Sequence, residues 1–327
     1  MRAGDPGPPR RRRPACWLSA ACGVIVVLAW VLQRWPGERW WPSILLVYGP
    51  QVVWLALPVV ALLGAGFAQD GRAAVLALLV LLAVIFGLMG FRVPFPAQAR
   101  GSPRLVVATW NTHNQRDLVP QMKAELDRVR PDVVCLQEAA GFSLRSAFGG
   151  WGICSTEHYQ DILARRGLKA KPPVGLRGSW RSACAAQIAL GGREVDLLCV
   201  HLTPIVGPRS LSRSRHRQAY LHHTVEGRTP QIESLADWAR RRPGPFVIAG
   251  DFNTSPQVAC WEPLRALATD AFAARGLGFG YTFRSDFPLW RIDYLWVSPH
   301  WRVLRSGTFG GRLSDHRGVW AELELRP

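Results

Sequence analysis

Three runs without a charged residue, 16–32, 43–68 and 73–91, occupy most of the first hundred positions of this 327-residue chain. A run of about 17–25 apolar residues can cross a bilayer as a helix, and inside hydrocarbon a helix satisfies its own backbone. The runs therefore predict three transmembrane helices within 16–91, parted by a segment holding Arg34 and Arg39 and by the turn Gln69-Asp70-Gly71-Arg72. Trp30, Trp35, Trp40 and Trp41 fall where the first hairpin would meet the membrane interface, as aromatic belts do. A cleaved signal peptide would account for the first run alone. Arg2 and Arg10 to Arg13 make the tail 1–15 basic, and basic tails stay in the cytoplasm. Three crossings then place residue 92 onward outside, giving a multi-pass cell-membrane protein with an extracytoplasmic domain. Residues 92–104 hold Pro94, Pro96 and Pro103 and read as a short, stiff tether.

Charge is uneven along the chain. The first 100 residues carry 10 of the 40 Lys/Arg and 3 of the 23 Asp/Glu, which leaves 101–327 at +10. A basic domain favours anionic partners: nucleic acid, acidic lipid headgroups or phosphorylated small molecules. Seven cysteines, without CxxC spacing, suggest no zinc site. Cys135 and Cys199 read as core residues, and Cys154 and Cys184 could pair in an oxidising compartment.

Beyond residue 105 the pattern changes to short apolar runs with turns between them. Strands are predicted at 105–110, 132–136, 246–249, 292–297 and 320–325, and a hairpin at 183–190 and 195–202 around Gly191-Gly192. Helices are predicted at 117–129, stopped by Pro131, and at 231–242. Several strands end in a polar residue: Asn111, Glu138, His201, and Asp251 with Asn253. Strand ends of a layered α/β domain converge on one rim, where sites are built. Taken singly, a strand-terminal Asn is a turn residue and a lone Glu a solvated one; their succession, completed by Asp293 and Ser314-Asp315-His316, is harder to dismiss.

These residues fall in six motifs: Thr109-Trp110-Asn111, Leu136-Gln137-Glu138, Val200-His201-Leu202, Gly250-Asp251-Phe252-Asn253, Ile292-Asp293-Tyr294 and Ser314-Asp315-His316. In content and order they resemble the endonuclease/exonuclease/phosphatase superfamily. The resemblance implies a DNase I-like, four-layer α/β/β/α sandwich over 105–327, preceded here by the three transmembrane helices. It also implies phosphoric ester hydrolysis with Mg²⁺ or Mn²⁺. Glu138 becomes the first metal ligand, with Asn111 and Asp315 beside it. His316 is a base or phosphate contact oriented by Asp293, Asp251 is the competing base, Asn253 binds the phosphoryl group or positions Asp251, and His201 donates to a phosphoryl or leaving-group oxygen. The residue types suit that chemistry on their own terms, because phosphoryl transfer needs a hard cation, a base for water and donors for developing charge.

Glu138 is followed by Ala139-Ala140, where DNA-repair members carry a polar or basic residue, and their DNA-gripping insertions are not evident. A basic segment at 208–217, with Arg209, Arg213, Arg215, His216 and Arg217, is either a solvated face or a phosphate- or membrane-facing patch; His222-His223 is not read as a metal site. Three spans ahead of such a domain are similar to a subgroup typified by the actinobacterial teicoplanin-resistance membrane protein VanJ. That resemblance implies an anionic, lipid-linked phosphate or pyrophosphate of the cell envelope as substrate, membrane lipids as neighbours, and a glycopeptide-resistance phenotype. Nucleic acid, for a tethered nuclease, is the less favoured substrate. A sphingomyelinase-like phosphodiesterase and a non-catalytic binding protein are the remaining alternatives.

Overall fold

The computed structural model describes residues 12–139, 147–165, 167–204 and 217–327, the side chains of Arg12, Arg13, Trp41 and 217–226 excepted. The side chains of the N-terminal-tail arginines, of the basic residues at 208–217 and of His222 and His223 lie outside what the structure describes. The chain divides into two units, Met1–Phe91 and Arg92–Pro327.

In the first unit, helices α1 (Arg12–Arg34), α2 (Trp41–Tyr48), α3 (Ala56–Ala68) and α4 (Gly71–Leu82) follow one another. Three segments, Pro14–Arg34, Gln51–Ala68 and Gly71–Leu88, are long and apolar enough to cross a membrane. Ala15, Ala65 and Ala73 cluster where α1, α3 and α4 meet, whereas Val24, Leu63, Val75 and Leu79 face outward. Small residues inside and large apolar ones outside suit helices that pack against each other within lipid. Asp70 caps α4, its Oδ1 accepting from the backbone N–H groups of Arg72 and Ala73 at 3.0 and 3.3 Å.

The second run is not one helix. It breaks at Gly49-Pro50, where Pro50 carries no N–H for the carbonyl of Leu46 and pushes Gly49 out of the helical region (ψ 157°). Two side chains take up the orphan instead. Gln33 Nε2 and Gln51 Nε2 donate to the Leu46 carbonyl at 3.0 and 2.8 Å, and Gln51 Nε2 also reaches the Gly49 carbonyl at 3.0 Å. A broken helix is tolerated at membrane depth when its freed backbone groups are satisfied in this way.

The second unit holds two six-stranded sheets. The strands are β1 (Arg104–Asn111), β2 (Val133–Gln137), β3 (Gly152–Ser155), β4 (Asp161–Ala164), β5 (Lys169–Gly175), β6 (Ser182–Leu190), β7 (Arg193–His201), β8 (Phe246–Asp251), β9 (Thr269–Asp270), β10 (Asp293–Val297), β11 (Trp301–Phe309) and β12 (Gly318–Leu325). Their orders are β11-β12-β1-β2-β4-β3 and β5-β6-β7-β8-β10-β9. Alternate residues of both sheets, among them Val107, Cys135, Leu197, Cys199, Val247, Leu295 and Ala321, form one core between them. On the outer face of the first sheet, Met122 and Leu126 of α5 (Val119–Val129) pack with Trp110 and Leu136. On the second, Trp238 of α6 (Arg217–Arg240) meets Phe246 edge-on, 5.7 Å between centroids. Helix, sheet, sheet and helix make the four layers.

The strands predicted from sequence are present, and α6 extends well ahead of the predicted start at 231, through Pro230. Strands β3, β4, β5, β9 and β11 were not expected. Four-residue strands such as Gly152–Ser155 carry almost no periodicity, and Pro172-Pro173 in β5 disguises an exposed edge strand whose register shifts between Lys171 and Val174. The proline-bearing segment 92–103 lies along the second unit: Arg92 and Gly278 exchange backbone hydrogen bonds at 2.8 and 2.9 Å, and Arg100 N–H donates to Glu324 Oε1 at 2.6 Å.

Candidate active site

Each sheet has one parallel pair at its centre, β1–β2 and β7–β8, with Asn111 opposite Gln137 and His201 opposite Asp251 at their carboxyl ends. Antiparallel β10 begins at Asp293, directly opposite Asp251. His316 lies just ahead of β12, which runs antiparallel to β1. The two sheets thus deliver all eight residues singled out in the sequence to one rim, although Asn253 keeps its amide turned to the chain. Gly250 is required there: at φ 151° an added Cβ would stand 2.0 Å from the Val200 carbonyl oxygen. Glu138 (φ 49°), His113 (φ 47°) and Asn253 (φ 48°) all adopt left-handed backbone, a concentration of strain usual around functional sites.

On the first-sheet side, Asn111 is buried and its Nδ2 donates to Asp251 Oδ2 at 3.0 Å and to Glu138 Oε1 at 3.3 Å. Its Oδ1 accepts the backbone N–H of His113 at 3.0 Å, so in this arrangement Asn111 holds two carboxylates rather than offering an oxygen to a cation. Glu138 and Asp315 both face His113 Nδ1, at 3.5 and 3.6 Å. Two half-exposed carboxylates converging on one point are a donor set that fits a hard divalent cation. Asp251, Asp293 and His316 also bring one ligand atom each within 4.8 Å of one another, a second place where a metal ion could be held.

On the other side, Asp293 Oδ2 lies 2.9 Å from His316 Nδ1, and both residues are buried. The ring is further fixed by Phe283, at 4.8 Å between centroids, and by Trp110 Nε1, which donates to the His316 carbonyl at 3.0 Å. His316 Nε2 points back to Asp251 Oδ2 at 3.8 Å, and His201 Nε2 stands 3.7 Å from the same oxygen. Asp251 Oδ1 accepts the Asn253 backbone N–H at 2.8 Å, while Asn253 Nδ2 donates to the Leu202 carbonyl at 3.0 Å. Asn253 therefore positions Asp251 and ties the two strand-end loops together.

Burial and charge set the protonation of this group. Burial alone would lower the His316 pKa, but the carboxylates of Asp293 and Asp251 outweigh it and push it up to about 10. His201 goes the other way: burial, helped by Arg181 and His316, outweighs Asp251 and lowers it to about 4. Burial, with repulsion from Asp293, raises Asp251 above the ordinary carboxylate range. At neutral pH His316 is thus an imidazolium and His201 a neutral ring, while burial and Asp293 make Asp251 more basic than an ordinary carboxylate.

Three further residues belong here that sequence reasoning passed over. His113 stands between Glu138 and Asp315. Arg228, buried in α6, donates to the carbonyls of Thr203 and Phe252 and to Thr254 Oγ1 (2.9 Å), clamping the loops after His201 and Asp251. Arg181 borders a cavity of about 400 Å³ shared with Glu138 and His201. No sequence signal marks Arg181. Arg228 sits in a polar stretch with weak helical patterning, and only the position of His113, two residues after Asn111, hinted at its role.

Comparison with known proteins agrees with this fold. YbhP of Escherichia coli strain K12 is 27% identical over 265 residues, covering 67% of this chain and 96% of YbhP. Among solved structures, an endonuclease/exonuclease/phosphatase family protein from Bacteroides thetaiotaomicron matches with a TM-score of 0.55 at 15% identity, over 69% of this chain and 99% of that one. Humanized Danio rerio TDP2 matches with a TM-score of 0.53 at 19% identity (68% and 99% of the chains), and the B. thetaiotaomicron mannosyl-6-phosphatase Bt3783 with 0.50 at 17% (68% and 100%). The model of the Endonuclease/Exonuclease/phosphatase family matches residues 108–316, from inside β1 to the histidine paired with Asp293. The chain belongs to that family.

Proposed function

We propose that this protein is a membrane-anchored, divalent-metal-dependent phosphoric ester hydrolase acting on a lipid-linked phosphate or pyrophosphate of the cell envelope, with its site on the extracytoplasmic side. The observation that carries the hydrolase reading is the line Asp293–His316–Asp251, with Glu138 and His201 across from it. Glu138 and Asp315 would hold Mg²⁺ or Mn²⁺, which supplies charge neutralisation to phosphoryl oxygens when bound. Asp251 takes the proton from the attacking water, whose oxygen bonds to phosphorus as the ester P–O bond breaks. His316 donates its Nε2 proton to a phosphoryl or leaving oxygen, and Asp293 keeps that ring charged and oriented. His201, neutral, adds a second donor. Asn111 and Asn253 fix the carboxylates.

Three apolar helices ahead of a hydrolase unit support a substrate that shares the bilayer. Assays of the full-length protein in detergent with polyprenyl pyrophosphate, a phosphoinositide, sphingomyelin and DNA, each with and without Mg²⁺, are expected to release phosphate fastest from the polyprenyl substrate. Preferential cleavage of DNA would replace the lipid reading with that of a tethered nuclease. Orientation has its own test. A reporter fused after Pro327 is expected to be active only in a form that works outside the cytoplasm, and activity of a cytoplasm-only reporter would reverse the topology.

A further inference from the structure

The cavity beside Glu138 and His201 contains a cation with no assigned task. Strand β6 runs antiparallel to β7 with Cys184 opposite Cys199, so the start of β6 lies beside the His201 end of β7. Arg181 immediately precedes that start. Its backbone N–H donates to Ser179 Oγ at 3.0 Å, and the carbonyl of the next residue, Ser182, accepts from Gln160 Nε2 at 3.0 Å. The base of the side chain is therefore held by the sheet. Its guanidinium carbon stands 4.9 Å from the centroid of the Trp180 ring, a cation–π distance.

Arg181 is half-buried, and among the described residues its Nη1 is buried without a hydrogen-bond partner. A buried donor left unmade costs about 1–3 kcal/mol, more for a charged group, so its retention needs a reason. Burial draws the guanidinium pKa below its ordinary value, although Glu138 and Asp251 pull it up. The group lines the 400 Å³ cavity together with Glu138, Glu157 and His201, and with Trp180 and Tyr159, which are exposed to 71% and 63%. A planar fork of donors beside the place where a phosphoryl group would react matches paired anionic oxygens.

We propose that Arg181, backed by Trp180, is the anion subsite that binds the non-bridging oxygens of the substrate's phosphoryl group and sets its position between Glu138 and His201. This rests on the hydrolase reading for its use in turnover, but not for binding of the anion itself.

The test uses the full-length protein in detergent with Mg²⁺. Binding of inorganic phosphate is measured by calorimetry, and KM and kcat are measured with whichever of p-nitrophenyl phosphate and bis-p-nitrophenyl phosphate is turned over. Arg181→Gln is expected to weaken phosphate binding and raise KM by about 10–100-fold, the range for a hydrogen-bonded charge. Arg181→Lys, which keeps the charge and loses the fork, is expected to fall between the two and stands in if the glutamine variant does not fold. Phosphate affinity and KM unchanged in either variant, or a wild type that binds no phosphate, would overturn the subsite. A wild type that binds phosphate through Arg181 yet hydrolyses no phosphoester upholds the subsite and removes the hydrolase reading instead.

Discussion

His316→Ala is expected to lose about 10²–10⁴ in turnover while remaining folded, the usual effect of removing a positioned acid or base. Asp293→Asn keeps the size of the side chain and removes the charge that outweighs burial at the His316 ring. If the two act as one unit, the double variant is expected to cost about as much as the worse single change, because each loss already includes the other. Strictly additive losses would remove the pair from the mechanism. The alternative, an Asp293 that serves only the fold, predicts a lower melting temperature with turnover per folded molecule near normal.

Titration separates these outcomes further. The folded-state pKa of His316 is raised, to about 10, above an unfolded value near 6.5. The stabilisation from its charged form is therefore complete below about pH 6.5 and is lost as pH rises through about 10. The melting temperature of the wild type is expected to fall between pH 7 and 10, and the Asp293→Asn protein is expected to show a smaller fall that ends at lower pH. Identical pH profiles for the two proteins would mean that Asp293 does not hold the proton on His316.

The order of elements and the rim were legible because strand ends leave a local signature. In β1, β2, β7 and β8 an apolar run stops at a polar residue, and the parallel pairing of these strands turns four stops into one site. What stayed hidden depends on contacts between distant segments. Pro50 lay inside a run that reads as one span, and its break could be stable only because Gln33, far earlier in the chain, reaches the Leu46 carbonyl. Arg181 and Arg228 are ordinary arginines in sequence. Their roles come from burial, which depends on which loops the sheets bring beside them. The direction of the Asn111 amide is likewise a product of its three partners, and no motif specifies it. Cys154 and Cys184, noted as a candidate pair, come to 3.3 Å between sulfurs because β3 and β6 face each other across the core, in opposite sheets.

Chelation by EDTA is expected to abolish turnover, and Glu138→Ala to lose about a thousandfold, since a bound metal ion contributes several kcal/mol of charge stabilisation and each 1.36 kcal/mol is about tenfold in rate. Folding should not obscure this result, because Glu138 is half-exposed and its contact with the buried His201, a neutral ring, is a long one at 3.6 Å. Glu138→Gln is the sharper variant. Its amide oxygen can still accept from Asn111 Nδ2, so the scaffold is kept while the charge is lost. Two cation positions are on the same rim, and Mn²⁺ binding followed by titration separates them without reference to activity. If Glu138 and Asp315 hold the ion, Glu138→Gln weakens Mn²⁺ binding strongly and Asp293→Asn leaves it nearly intact. If the ion sits among Asp251, Asp293 and His316, the order is reversed. In that case Asp293 Oδ2 would have to leave the His316 ring, now 2.9 Å away, and the imidazolium would have to give up its proton to become a ligand. Both steps oppose the charge balance that raises the His316 pKa, which is why the Glu138 position is the one expected to bind.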